Sequence, residues 1–257
     1  MTLILIWLTV SNWFTANKLH LNSKKTTAVL FRPYQKKTCE NPNGIMLLNN
    51  FIPFAESALF LGIEIDCNLS WSHHIDSTCR KLARGTGIIL KLSQFLPKNI
   101  LLTIYNSLVL PFISYCSIVW GNASAVHINK LFVIQKRIFR AIDHKSKLDH
   151  SRPIFFRYNS LTIFDIVKFQ ISVFMYKFSK NLLPNSFVNY FSTYSHSYST
   201  RHNSNYVLPF YKLFLSQRNI GFLGPITWNC IPVHIKNSST VSSFKRHFKT
   251  YLLSGYD

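Results

Sequence analysis

The hydrophobic pattern of this chain changes its period after Trp71, and that change most constrains the fold. Before Trp71, alternate residues over 59–66 are apolar, which is typical of a strand. After it, Ile75, Leu82 and Ile89 recur at helical spacing and predict a helix over 73–95. The sequence therefore predicts an α+β, mainly helical fold in which a small β portion comes first.

The portion before Trp71 combines one expected helix with several expected strands. The helix is predicted over 2–17, where the apolar residues fall on one helical stripe. The expected strands cover 26–31, 45–48, 51–54 and 59–66. The middle two form a hairpin around Asn49-Asn50, and the last places Leu59, Leu61, Ile63 and Ile65 on one face.

Further helices are predicted over 97–111, 126–142, 162–180 and 240–253. In the second of these, the core side carries Ile128, Leu131, Gln135, Ile138 and Ile142. Thr162 and Asp165 have the spacing of a capping box at the start of the third. The polar residues 143–157 form the best candidate boundary, so the chain divides into 1–72, 73–150 and 151–257.

The charge of the chain is strongly positive and unevenly spread. It carries 29 basic and nine acidic side chains, a formal net charge of +20. Residues 1–72 hold +2 of this charge, 73–150 hold +8, and 151–257 hold +10. A strong positive field favours a polyanion, and the 15% aromatic content suits a nucleic-acid binder. Alternatively, the charge serves solubility alone.

Cysteine usage and the first ten residues bear on the compartment. The five cysteines are scattered and form no C-x-x-C pair, which is typical of a reducing compartment. Cys67, His73, His74 and Cys79 match no common zinc-site spacing, so no metal site is predicted. Met1–Val10 is too short to span a bilayer and lacks the features of a signal peptide. We expect an intracellular protein, nuclear or cytoplasmic, that is not secreted and has no membrane partner.

Two groups of motifs, in fixed order, carry a family resemblance. The first contains Trp13-Phe14, Asn17-Lys18-Leu19, Leu21-Asn22 and Lys25-Thr26. The second contains Phe60-Leu61-Gly62-Ile63, Leu69-Ser70-Trp71 and His74-Ile75. In this order they resemble the back half of a LINE-type, jockey-like non-LTR retrotransposon reverse transcriptase. The likeness continues through Val119-Trp120-Gly121, Gln135-Lys136, Gly224-Pro225 and Phe244-Lys245.

The resemblance implies a polymerase architecture and its partners. Residues 1–72 would be the end of a palm with a primer-grip-like hairpin, 73–150 a helical thumb-like region, and 151–257 a helical C-terminal region. The implied activity is RNA-directed DNA synthesis, with RNA and DNA as template and primer. No small-molecule substrate is expected in this portion.

The family's catalytic carboxylates are the main departure. In the family an Ala-Asp-Asp hairpin that holds Mg²⁺ lies shortly before the first motif, whereas no Asp-Asp pair occurs in this sequence. The chain is therefore expected to begin after the active site, to carry no catalytic residue or cofactor, and to be inactive alone. Glu64 and Asp66 could hold one ion at most, and two-metal transfer needs carboxylates that bridge both ions. In the simpler interpretation, Asp66 supports the turn into Cys67-Asn68 and Glu64 is solvated.

Eight residues are candidates for contact with nucleic acid. Lys25 matches the family lysine near the incoming triphosphate, and Phe60, Leu61 and Gly62 match the primer-grip hairpin. The helix at 126–142 supplies the other four, which share the face opposite its core side: Lys130, Lys136, Arg137 and Arg140. No acid precedes Asp143 in that helix to compensate them. Each has a plainer alternative, namely a solvated turn lysine, an ordinary strand glycine, or a solvated helix face.

Two alternatives compete with the interpretation of the chain as part of a polymerase. The chain is either a stand-alone basic nucleic-acid-binding module or the non-functional product of a truncated element. An upstream reading frame that encodes the Ala-Asp-Asp hairpin would favour the polymerase.

Overall fold

The change of period after Trp71 falls at the junction between two units of the structure. The computed structural model describes residues 9, 12–19, 22–32, 43–47, 50–193, 205–213 and 215–256. Its two units are Met1–His74 and Ile75–Asp257. The junction lies two residues from the predicted one at 72/73, while 73–150 and 151–257 lie almost entirely within the second unit. Within these described residues the fold is mainly helical with two small antiparallel sheets, which confirms the predicted α+β, mainly helical class.

Both sheets are hairpins in the first unit. Strand β1 (Gly44–Leu47) pairs antiparallel with β2 (Asn50–Pro53), which confirms the hairpin predicted around Asn49-Asn50; residues 48 and 49 lie outside the described part. Strand β3 (Ser57–Phe60) pairs with β4 (Ile63–Asp66), and Phe60 lies opposite Ile63.

The single strand predicted over 59–66 is wrong, because a tight turn interrupts it. Leu61 and Gly62 have φ angles of 48° and 80°, the left-handed backbone that a two-residue hairpin turn requires. Apolar residues continue to alternate through this turn, so the period alone does not reveal it. The observed arrangement is the β3–β4 hairpin.

The strand predicted over 26–31 is also wrong. Ala28 forms an isolated parallel bridge with Phe54, and its carbonyl accepts a hydrogen bond from Ala55 N at 2.8 Å. Within the described residues this segment has no ladder partner along its length, so its β-forming residues do not form a strand. Of the helix predicted over 2–17, residues 9 and 12–16 are described and are helical.

The second unit is built from helices. Those predicted over 73–95, 126–142, 162–180 and 240–253 are observed near their predicted limits, whereas the one predicted over 97–111 is divided at Val109. Helix α1 (Ser72–Leu92) begins in the first unit and continues into the second. The others are α2 (Lys98–Leu108), α3 (Leu110–Ser114), α4 (Ser117–Trp120), α5 (Ala125–Ile142), α6 (Arg152–Arg157), α7 (Ile163–Ser179), α8 (Ile220–Asn229), α9 (Val233–Lys236) and α10 (Val241–Leu253). Pro97 caps α2 in an extended conformation instead of being its first residue. Thr162 caps α7 and accepts a hydrogen bond from Asp165 N, which confirms the predicted cap.

Helix α7 is the central helix of the second unit. It packs against α3, α4, α5, α8 and α10, and it is buried on several faces through Ile163, Ile166, Val167, Ile171 and Met175. Tyr176 stacks on Phe244 of α10 with ring centres 4.4 Å apart. Its hydroxyl donates to the carbonyl of Ser238 at 2.6 Å. This arrangement fixes α10 across α7.

A buried amide joins the start of α7 to α2 and α5. Gln135 has no solvent exposure, and its Nε2 donates to the hydroxyl of Tyr105 at 2.8 Å and to the carbonyl of Leu161 at 2.9 Å. Its Oε1 accepts from Ile163 N at 2.9 Å. All polar atoms of the side chain are therefore paired, which makes burial of this amide favourable and orients α5 in the core.

Candidate nucleic-acid interface

Helix α5 has the two faces that the sequence predicts. Its core side, formed by Ile128, Leu131, Gln135, Ile138 and Ile142, is buried. The opposite side carries the four predicted cations, but the structure gives them different surroundings. An α-helix has 3.6 residues per turn, so burial of the core side turns the face with the four cations towards solvent.

Lys130 is compensated, contrary to the expectation that this helix face lacks acidic partners. Its Nζ lies 2.7 Å from Oδ1 of Asp76 in α1, and both side chains are about half exposed. The hydrogen bond and the charge of Lys130 lower the pKa of Asp76 below its usual value. The partner precedes Lys130 by 54 residues, so only the packing of α1 near α5 brings the two together.

The other three cations cluster towards the end of α5. The ammonium of Lys136 lies 4.7 Å from the centre of the Phe132 ring. Nε and an Nη of Arg140 both donate to the carbonyl of Asp149, at 3.0 and 2.7 Å, so a backbone oxygen orients this guanidinium and its charge is not neutralised by that contact. Arg137 is exposed and has no hydrogen-bonding or ionic partner among the described residues.

Two adjoining pockets lie beside these cations. One, of about 480 Å³, is lined by Phe132, Lys136, Arg140 and Arg152. The other, of about 640 Å³, shares Phe132 and Arg152 and adds Lys168 of α7. We call the two together the α5 groove, defined by Phe132, Lys136, Arg140, Arg152 and Lys168.

The α5 groove has an excess of positive charge, and the ring of Phe132 lines both of its pockets. Its four cations face two carboxylates, those of Asp149 and Asp165. The Asp149 carboxylate accepts from Ser146 N at 2.8 Å, and the Asp165 carboxylate accepts from the hydroxyls of Thr162 and Tyr256 and lies 3.6 Å from Lys168. Both acids are thus engaged with neighbouring groups. No sequence pattern indicates Arg152 or Lys168, since they come from separate helices.

The predicted residues of the first unit are exposed. Phe60 and Leu61 at the β3–β4 turn are 63% and 73% exposed, and Gly62 beside them adopts its left-handed backbone. Lys25 ends a 3₁₀ turn (Ser23–Lys25) whose backbone is held by the side chain of Asn22. The hairpin tip therefore exposes two apolar side chains beside a glycine, which has no side chain to cover the backbone. Lys25 is exposed to solvent.

The carboxylate of Asp66 is occupied by its own loop, as the simpler interpretation predicts. It accepts hydrogen bonds from the backbone N–H groups of Asn68, Ser70 and Trp71 at 2.8–3.1 Å. Burial alone would raise the pKa of Asp66, but these hydrogen bonds lower it below its usual value. No group of three or more histidine, cysteine or acidic side chains is placed to hold a metal ion within the described residues.

Asp143, the acid that ends α5, neutralises cations away from the α5 groove. Its buried carboxylate accepts from Lys98 Nζ at 2.9 Å, from an Nη of Arg157 at 2.8 Å, and from the hydroxyl of Tyr158 at 2.7 Å. Burial opposes ionisation, yet these hydrogen bonds and the two positive charges hold the pKa of Asp143 at about 2. It therefore ties α2 and α6 to the end of α5.

No family model, curated protein or solved structure matches this chain. The likeness to a reverse transcriptase thus rests on the sequence motifs alone. Across the described residues, no helix has both the length and the apolar character needed to cross a bilayer.

Proposed function

We propose that this chain is the primer- and template-gripping portion of an RNA-directed DNA polymerase from a non-LTR retrotransposon, without the catalytic aspartates. In this proposal the α5 groove holds the phosphate backbone of the template–primer duplex. The observation that carries it is the convergence of Lys136, Arg140, Arg152 and Lys168 from three helices around one aromatic ring. The ordered sequence motifs supply the link to the family.

The chemistry of the groove suits a backbone more than a base sequence. Contacts of ammonium and guanidinium groups with phosphates form whatever the base sequence, and the bound counterions that they displace make the affinity depend on salt. Arg140, oriented by the Asp149 carbonyl, can still present its remaining N–H groups to a phosphate. The exposed Arg137 extends the positive surface along the same helix.

Salt-dependent binding tests the groove directly. We compare Lys136→Ala/Arg152→Ala with a control, Lys245→Ala/Arg246→Ala, which removes two exposed cations of α10. Binding to a labelled RNA–DNA duplex is followed by fluorescence anisotropy at several salt concentrations. Each phosphate contact contributes roughly 0.7–0.9 to the slope of the logarithm of the affinity against the logarithm of the salt concentration. The groove variant loses two such contacts and should therefore flatten this slope by about 1.4–1.8. Equal effects of both variants would contradict a localised groove.

A stand-alone binding module is the second candidate, and one observation favours it: the whole α5 groove lies inside the second unit. The two candidates differ in substrate preference. A primer–template grip should bind a duplex with a recessed primer end more tightly than a blunt duplex of the same length. A plain backbone binder should not distinguish them, and that result would remove the support for the polymerase assignment.

A further inference from the structure

A separate cavity lies in the second unit, away from the residues that define the α5 groove. It has a volume of about 480 Å³ and is lined by residues of α2, α3, α7, α10 and the segment 158–161. Part of its wall is apolar, formed by Leu102, Leu110, Leu161, Ile166 and Phe169. This volume lies in the range of small-molecule sites, roughly 300–1,000 Å³.

Lys249 of α10 lines this cavity without a partner. It is half-buried, and no hydrogen bond, ion pair or ring contact engages it in the part of the chain that the structure describes. Burial lowers its pKa below the usual value, and no nearby acid opposes this effect. The contrast with Lys236 is informative, because that more deeply buried lysine donates to Asn205 Oδ1 at 3.1 Å and lies 5.5 Å from the Trp228 ring.

Three side-chain amides line the same cavity: those of Asn106, Asn159 and Gln170. Among the described residues, none of these amides makes a hydrogen bond. Each amide offers both donors and an acceptor. One cation, the partly exposed amide of Gln170 and the exposed amides of Asn106 and Asn159 therefore lie beside an apolar wall in one cavity, which matches the usual composition of a ligand site.

We propose that this cavity binds a single nucleotide, with its phosphate on the Lys249 ammonium, its base edge on the amides, and its ring against the apolar wall. A fatty acid would leave the amides unpaired, and an inorganic anion would leave the apolar wall unfilled. A nucleotide satisfies all three kinds of surface. This site departs from the sequence-based expectation that the chain has no small-molecule partner, and it does not depend on the function proposed for the α5 groove.

Calorimetric titration of the full chain at low salt tests the proposal. The probes are adenosine 5′-monophosphate and uridine 5′-monophosphate, with the matching nucleosides and inorganic phosphate as comparisons. We expect at least one monophosphate to bind at least tenfold more tightly than its nucleoside or inorganic phosphate. Lys249→Met should weaken that binding at least tenfold, while Lys245→Met, an exposed lysine on the same helix, should leave it unchanged.

Two further arms separate the alternatives. A hexanucleotide with a 5′-phosphate, compared with the same strand without it, tells whether the nucleotide comes from a strand end or from solution; Lys249-dependent binding of either form supports the site. Gln170→Leu, confirmed as folded by its thermal melt, should also weaken binding. Equal binding of inorganic phosphate, or no effect of Lys249→Met, would overturn the proposal. The groove variant Lys136→Ala/Arg152→Ala should not alter nucleotide binding, so failure of one proposal does not imply failure of the other.

Discussion

At the scale of single residues, the positive charges on α5 are not equivalent. Lys130 is held by Asp76 at 2.7 Å, whereas Arg137 is exposed without such a partner among the described residues. A cation that already has a counter-charge releases fewer ions from a nucleic acid than a free one. Function therefore depends on which cations are free, and a charge count along the sequence does not distinguish them.

This difference predicts unequal effects of two single substitutions. Arg137→Ala should flatten the salt-dependence slope of nucleic-acid binding by about 0.7–0.9, the value for one phosphate contact. Lys130→Ala should change it by less than half as much, because the charge of Lys130 is already compensated by Asp76. Fluorescence anisotropy over a range of salt concentrations measures both slopes. A larger effect of Lys130→Ala would show that its ion pair opens on binding.

The buried carboxylate of Asp143 predicts a pH dependence of stability. Its pKa is lowered from 3.8 to about 2, so the ionised form favours folding. This contribution is complete above the ordinary pKa and is lost as the pH falls from about 4 towards 2. We expect it to amount to about 1–2 kcal/mol, since the cationic partners are half exposed to solvent. Urea unfolding of Asp143→Asn at several pH values should lack this component, whereas the exposed Asp149→Asn should retain it.

At the scale of elements, the sequence predicts long amphipathic helices well. The stripes in α1, α5 and α10 repeat over several turns, so their periods are unambiguous. Short β elements are harder to predict, because alternation over 59–66 continues through the Leu61-Gly62 turn and residues 26–31 lack a ladder. The predicted face of α5 was found, but Asp76, Arg152 and Lys168 join it only through helix packing, which a local pattern does not encode.

Two glycines show how packing changes the effect of one substitution. A Cβ on Gly121, at the end of α4, would lie 2.3 Å from Cγ2 of Val167 in α7. A Cβ on Gly87, within α1, would meet nothing within 4 Å. Gly121→Ala should therefore lower the free energy of unfolding by about 1–3 kcal/mol through overpacking. Gly87→Ala should raise it by about 0.5–1 kcal/mol through helix propensity. Urea unfolding measures both, and destabilisation by Gly87→Ala would contradict the open space around that glycine.

At the scale of the whole molecule, the two units carry different parts of the predicted function. The first unit contains the β3–β4 tip and Lys25, which only the family resemblance singles out. The second contains the α5 groove and the Lys249 cavity, whose proposed roles are argued from contacts, burial and charge in the structure. Nucleic-acid binding by the second unit can therefore be tested without reference to the family, whereas the polymerase assignment needs a substrate that distinguishes a primer end.

The isolated chain should not extend a primer. Nucleotidyl transfer by two metal ions needs carboxylates that bridge both ions. The sequence has no adjacent aspartates, and the best-placed acid, Asp66, is committed to the backbone of its own loop through hydrogen bonds to Asn68, Ser70 and Trp71. Primer extension on an RNA template with Mg²⁺ or Mn²⁺ should match that of a mock preparation. Incorporation that exceeds the mock and disappears in Asp66→Asn would show that Asp66 leaves its loop to bind metal, and the chain would then carry an active site of its own.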